Sequence, residues 1–226
     1  VYRKSHVHCL NQKEVTMRYA AEIGKTYEEV NVVTAHVGGG LSVACHKQGR
    51  MIDTNDVLEG SGPFAPNRSG DVPLKPVVKL AFSEGHSKKE IDGVIGKTGG
   101  LVGLCGTDDA RTICKRIEAG DEWARIVYEA MAYQVAKAIG GFAAVLKGQV
   151  DGIVLTGGVS NDPYFVNYVS ERAGWIAPVK VYGGDFEMEA LASGAIRALD
   201  GVEKVMTYTG VPSWGGFTQE GAIPDL

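Results

Sequence analysis

The chain has little surplus charge of either sign. Its 23 Lys and Arg against 27 Asp and Glu leave a formal net charge of -4 with five histidines neutral. No basic stripe offers itself to a phosphate backbone, which argues against nucleic-acid binding. Long apolar runs are absent too: none approaches the roughly 20 residues that span a bilayer. The first twenty residues are too polar for a secretory leader. Cysteine is scarce and scattered. Cys9, Cys45, Cys105 and Cys114 form no CxxC pair, which argues against zinc and against a disulfide framework, and fits reduced thiols in the cytoplasm. No nucleophile elbow is visible.

Against these absences stand 226 residues, 44% hydrophobic and 22% charged. That suffices for one large domain or two small ones around a sizeable core. Glycine is abundant, 31 residues, about twice the usual share. It clusters without a repeat, as expected where backbone turns sharply or approaches a ligand.

Periodicity sets out the elements. Asn11 can cap a helix over 11–29, with Val15, Tyr19, Ala20, Ile23 and Tyr27 at helical spacing. The β-branched run 30–37 reads as a buried strand, and 41–45 and 51–54 as two more, forming a partly antiparallel sheet. Residues 59–76 are loop-rich. Short helices follow over 76–82 and 87–95, the second with a Ser87/Glu90 capping box. A glycine-rich bend covers 99–107. The strongest helical pattern is 121–147, with Trp123 and Ile126 on its apolar face and Gly140-Gly141 permitting close packing. A strand at 152–156, a helix at 162–172, a strand at 179–182 and a helix at 187–199 complete an α/β sheet with helices on its faces. The tail, 207–226, is expected at the surface.

Three places could carry chemistry. Gly38-Gly39-Gly40 joins two strands, and such a tip can cup an anion with backbone N–H groups; the plain reading is a tight hairpin. It does not open a helix as a dinucleotide site does, and no GKS or GKT follows it. Gly157-Gly158 follows a buried strand, where α/β sheets bind ligands. Arg68, in Asn67-Arg68-Ser69-Gly70-Asp71, could grip a phosphoryl group with a two-pronged contact or simply pair with Asp71. His6 and His8 would share one face of a strand. His8 and His36 are better hydrogen-bond donors to phosphate or carboxylate than metal ligands. Cys105 and Cys114 read as packing residues.

Taken in order, these pieces resemble the acetate and butyrate kinases, the butyrate kinases most closely. The run Arg3-Lys4-Ser5-His6-Val7-His8-Cys9-Leu10-Asn11-Gln12 looks like the segment RKSxFHALNQ of butyrate kinases. Gln12 stands where acetate kinases carry a second histidine. Ala35-His36-Val37-Gly38-Gly39-Gly40 looks like the second phosphate hairpin of the family. Gly62-Pro63-Phe64 with Asn67-Arg68-Ser69-Gly70 matches its arginine loop. Gly106-Thr107-Asp108-Asp109-Ala110-Arg111 looks like its nucleotide loop, and the stretch 151–158 its adenosine motif.

The resemblance implies a ribonuclease-H-like α/β fold, that of actin-like ATPases and the acetate and sugar kinases, represented mainly by the second of two domains. Residues 1–30 would end the first domain, 31–200 would bind nucleotide and 201–226 would be a tail. It implies reversible transfer of the ATP γ-phosphoryl to a short-chain carboxylate, butyrate or a branched relative, in the cytoplasm. Arg68, His8 and His36 would be catalytic. Gly38, Gly39 and Gly40 would hold phosphates, with Asp109, Arg111, Gly157 and Gly158 at the adenosine. Glu187, or Glu189, would help hold Mg2+. The family's first phosphate hairpin, carboxylate-binding arginine and metal-orienting aspartate have no counterpart, so the resemblance implies a truncated or split chain. It would pair with its missing part or with a second copy through an exposed apolar face. The alternatives are a nucleotide-binding or assembly module without activity, and an acetate- or sugar-type kinase of the same superfold.

Overall fold

A computed structural model describes residues 6–210. Residues 3–5 of the first family-like segment, and most of the expected tail, lie outside the described residues. The centre is a five-stranded sheet: β1 (Asn31–Val37), β2 (Leu41–Lys47), β3 (Arg50–Thr54), β4 (Gly152–Gly157) and β5 (Val179–Gly183). Their spatial order is β3-β2-β1-β4-β5. β2 runs antiparallel to β1 and β3, whereas β1, β4 and β5 are parallel. The hairpin end is thus antiparallel and the alternating βα end parallel, as the pattern predicts.

Among the described residues eight α-helices surround the sheet: α1 (Cys9–Glu22), α2 (Leu74–Phe82), α3 (Lys88–Gly96), α4 (Gly100–Cys105), α5 (Ala110–Glu118), α6 (Glu122–Val145), α7 (Pro163–Ala173) and α8 (Glu187–Leu199). Strand alternation sorts the core into two layers. Val33, Ala35, Val37, Val43, Ile153 and Leu155 pack with Met131, Val135 and Ile139 of α6. Val32 and Val154, one residue out of phase, pack with Val15, Tyr19 and Ala20 of α1. Both faces are covered, so β1 and β4 are buried almost throughout. Among the described residues no helix is long and apolar enough to cross a membrane.

Several elements differ from expectation. α1 begins at Cys9 with His8 at its cap, not at Asn11, which is 1% exposed inside the helix. It stops at Glu22 because Gly24 turns left-handed at φ 72°; Tyr27–Glu29 is a separate 3-10 turn. His6 and His8 are on no common strand. His6 Nδ1 binds Asp56 at 2.9 Å, and His8 turns to Ser42. On α6, Trp123 and Ile126 face solvent, and an added Cβ at Gly140 or Gly141 would meet nothing within 4 Å, so these glycines do not serve close packing. The bend at 99–107 contains α4, and α5 follows it unforeseen. The Ser87/Glu90 capping box is present. Exposed apolar side chains gather on α2 (Leu74, Phe82) and on α8 (Met188, Leu199).

Candidate active site

The α1 layer is polar at one end. The parallel register sets His36 of β1 beside Thr156 of β4, and the antiparallel register sets it beside Ser42 of β2. Strand alternation turns all three toward α1, near the carboxyl ends of β1 and β4, where α/β sheets bind ligands. Burying polar groups is costly unless they are bonded, and α1 supplies the partners. Asn11 Oδ1 lies 3.1 Å from His36 Nδ1 and 3.4 Å from Thr156 Oγ1. Asn11 Nδ2 donates to Asp185 Oδ1 at 3.3 Å. Gln12 Nε2 donates to Ser42 Oγ at 2.8 Å and to the Ser42 carbonyl at 3.0 Å. Ser42 Oγ is 2.8 Å from His8 Nδ1.

His8 and His36 stack with ring centroids 3.9 Å apart and planes at 13°. Burial lowers both pKa values. For His8 the nearby Arg68 guanidinium adds to the effect. For His36 burial takes the value down to about 3. Both rings are therefore neutral at pH 7.

Arg68 comes to the same place. Its guanidinium lies so close to Gly40 that a Cβ there would sit 1.7 Å from Nη1. A Cβ at Gly38 would be 3.2 Å from His36 Nε2. The hairpin tip is glycine because side chains of the site press against it. None of the three glycines has positive φ, and the Gly38 N–H is spent on the Gly40 carbonyl at 2.9 Å, so the tip is not an open row of amides. The arginine loop is held from behind, since a Cβ at Gly100 would fall 1.7 Å from the Ala65 carbonyl oxygen. Arg68 makes no ion pair among the described residues, so the pairing with Asp71 is not made. Its Nε is buried without a hydrogen-bond partner, and burial lowers its pKa from the usual value.

Beyond the tip opens a cavity of about 700 Å³, within the range of small-molecule sites. Gly38 and Gly39 form one wall, Asp109 and Arg111 another, and Gly158 and Val159 a third. Asp109 caps α5 and pairs with Arg111 at 3.0 Å. Gly157 takes φ 88° where a Cβ would strike the Val37 carbonyl, so it turns the chain and leaves Gly158 to face the cavity.

The structure thus brings His8, His36, Arg68 and Gly38 to Gly40 together, with Asp109, Arg111 and Gly158 around the adjoining cavity. Glu187 opens α8, exposed, with its N–H on Asp185 Oδ1 at 3.1 Å; neither it nor Glu189 lines the cavity. No cluster of three or more His, Cys, Asp or Glu fit to hold a metal occurs among the described residues. Sequence reasoning missed Asn11, Ser42, Thr156 and Asp185 at the histidines, and Lys115, Asn161 and Asp162 at the cavity. The signal for the first group was present: Asn11, Gln12 and Thr16 interrupt the buried face of α1. Cys114, read as a packing residue, also lines the cavity, its thiol 3.3 Å from Asp162 Oδ2.

The model of the acetokinase family matches residues 1–198. The probable butyrate kinase of Clostridium botulinum (strain Eklund 17B / Type B) is 47% identical over 207 residues, 91% of this chain and 58% of that protein. Butyrate kinase 1 of Clostridium acetobutylicum is 46% identical over 206 residues, with the same two shares, 91% and 58%. The chain therefore spans less than two thirds of the curated relatives it matches. Among solved structures, an acetate kinase of Porphyromonas gingivalis superposes with a TM-score of 0.77 at 26% identity, over 85% of this chain and 55% of that one. A propionate kinase of Francisella tularensis shares the fold, with a TM-score of 0.73 at 22% identity over 82% and 53%. The architecture is the actin-like ATPase fold of these kinases, and the chain belongs to the acetokinase family.

Proposed function

We propose that this chain carries the nucleotide side of a kinase that moves the ATP γ-phosphoryl, reversibly and in the cytoplasm, to a short-chain carboxylate such as butyrate or a branched relative. One observation carries the reading furthest: a guanidinium with no counter-ion among the described residues and a buried, unbonded Nε, wedged against a glycine beside two neutral imidazoles. Such a group is incomplete without an anion.

In this reading the triphosphate runs from the cavity along Gly38 and Gly39 to the histidines, with the adenosine between Asp109, Arg111 and Gly158. A carboxylate oxygen attacks the γ-phosphorus, a new O–P bond forms, and the bridging bond to the β-phosphate breaks with its electron pair leaving on ADP. A carboxylate is already a nucleophile and needs no base, so the protein's work is alignment and charge neutralisation. Arg68 spreads its fork over the equatorial oxygens of the moving group. His8 and His36, neutral, add polarity without a competing charge.

Glu187, with Glu189 as the alternative, would help hold Mg2+. Exposed carboxylates that leave the coordination shell incomplete suit an ion that keeps its waters and takes the rest of its ligands from phosphates. When bound with the nucleotide, the ion neutralises charge on the β- and γ-oxygens. We assign residues 31–200 to the nucleotide-binding domain and 1–30 to the end of the preceding one. The exposed apolar side chains of α2 and α8 support association with the remainder of a longer kinase or with a second copy.

The test is calorimetric titration with ATP and ADP, followed by trapping of acyl phosphate with hydroxylamine in the presence of butyrate, acetate or glucose. Tighter binding of ATP than ADP that disappears in Arg68→Ala supports the reading, as does hydroxamate from butyrate. ADP release with glucose alone would favour a sugar kinase. Nucleotide binding indifferent to Arg68, with no product, would favour a binding module.

A further inference from the structure

We propose that the two stacked histidines are locked in opposite tautomers, His8 protonated on Nε2 and His36 on Nδ1, and that Asn11, oriented by Asp185, is the positioning residue that sets the second. The proton positions follow from a chain of obligatory donors and acceptors. At His8, the amide of Gln12 cannot be turned round, because its Nε2 faces the Ser42 carbonyl, which only accepts. The same NH2 donates to Ser42 Oγ. Ser42 is fully buried, and among the described residues its Oγ has no hydrogen-bond partner besides the Gln12 NH2, which cannot accept, and His8, so its own proton goes to His8 Nδ1 or to nothing. The bonded choice leaves His8 Nδ1 accepting, and a neutral ring then carries its proton on Nε2.

At His36 the logic reverses. The Asp185 carboxylate only accepts, so Asn11 presents Nδ2 to it and Oδ1 to His36. A carbonyl oxygen requires a donor opposite, so His36 Nδ1 bears the proton. Its Nε2, packed at the Gly38 backbone, is a bare lone pair. Of two near-parallel rings, one offers a donor and the other an acceptor. The expectation that both donate to phosphate oxygens is therefore replaced by a division of roles. His8 Nε2–H can bond a phosphoryl oxygen. His36 Nε2 repels one and accepts only from an N–H or O–H donor, which fixes the side from which the moving group is approached. The division of roles rests on the proposed phosphoryl transfer, whereas the tautomers do not.

The experiment is long-range 1H–15N correlation on protein with 15N-labelled histidine at pH 7, without ligand and then with ATP added. The expected spectrum shows His8 with Nε2 protonated and Nδ1 bare, and His36 the reverse. Asn11→Ala and Asp185→Asn should each lose the single-tautomer signature of His36, while Asn11→Asp, which keeps an acceptor, should restore it. His46, remote in the sheet and bonded to Tyr27, serves as the control for folding. Like tautomers on both rings, or a His36 still wholly Nδ1-protonated in Asn11→Ala, overturn the proposal. If ATP shifts neither ring, the functional reading fails while the tautomer assignment stands.

Discussion

Gly40 and Arg68 offer a quantitative test of the site. In Gly40→Ala the new methyl would sit 1.7 Å from Arg68 Nη1, 2.7 Å from Val57 Cγ1 and 2.9 Å from Arg68 Cζ. Gly40 has no left-handed φ, so the backbone tolerates alanine and the conflict is confined to side chains. The guanidinium is the movable partner and must leave. Two consequences separate. Overpacking in a tight site costs about 1–3 kcal/mol, which for a chain of this size lowers Tm by roughly 2–4 °C per kcal/mol. Loss of a charge-assisted contact to the terminal phosphate costs about 1.5–3 kcal/mol, or about tenfold to a hundredfold in ATP affinity, with ADP nearly unaffected. Calorimetry with both nucleotides and a thermal melt read these out. A cycle with Arg68→Ala sharpens the result. Once the guanidinium is gone, two of the three nearest conflicts of the added methyl go with it and the one with Val57 remains, so Gly40→Ala should destabilise less in that background and should not weaken ATP further. Additive effects, or an equal loss of ATP and ADP, would show that Arg68 does not face the terminal phosphate from this position.

Other outcomes are equally open to measurement. Gly140→Ala, in mid-helix with open space around it, should stabilise by about 0.5–1 kcal/mol, whereas Gly152→Ala, whose methyl would fall 2.3 Å from the Tyr19 ring, should destabilise by about 1–3 kcal/mol; urea melts decide both. His36 and His46 are each held neutral, with pKa lowered to about 3 by burial. The unfolded chain therefore binds more protons below about pH 6.5, and stability should be full above that pH and fall on acidification toward 3, approaching about 1.4 kcal/mol per pH unit for each ring. A urea midpoint unchanged from pH 7 to 5 would contradict this, and His46→Gln should flatten the slope. The Cys114 thiol, pushed up to about 11 chiefly by burial and then by Asp162, should alkylate slowly at pH 8, and more slowly still with ATP in the cavity; rapid labelling that ATP leaves unchanged would speak against a nucleotide there.

What the sequence made legible was whatever depends on neighbours along the chain. The β-branched runs, the glycine punctuation, the Ser87/Glu90 box and the alternation of strand and helix all appear where local chemistry placed them. The misreadings share a physical cause, which is that the deciding partner lies far away in sequence. Asn11 reads as a cap because asparagine ahead of an apolar period usually is one; in the fold it is buried by contacts with His36, Thr156 and Asp185, which are 25, 145 and 174 residues distant. The triple glycine reads as an anion cup, yet its glycines yield to the Arg68 side chain and the His36 ring. α5 escapes notice because Ile113 is its one buried residue, too little to make a period.

The polar residues inside apolar patterns carried the most information about function. A helix that must bury its face against a sheet gains nothing by placing Asn11, Gln12 and Thr16 on it, unless the sheet answers with Thr34, His36, Ser42 and Thr156. Seven polar residues meeting across one interface make that layer costly wherever any of them lacks a partner. A costly layer is retained where it holds something in place, and here it ends at two stacked imidazoles beside an arginine with no counter-ion among the described residues. The polar seam therefore points to the position of the chemistry independently of any motif, because a network in which Gln12 Oε1 is the one buried side-chain atom left without a partner among these seven residues can hold neutral rings rigid next to a charge.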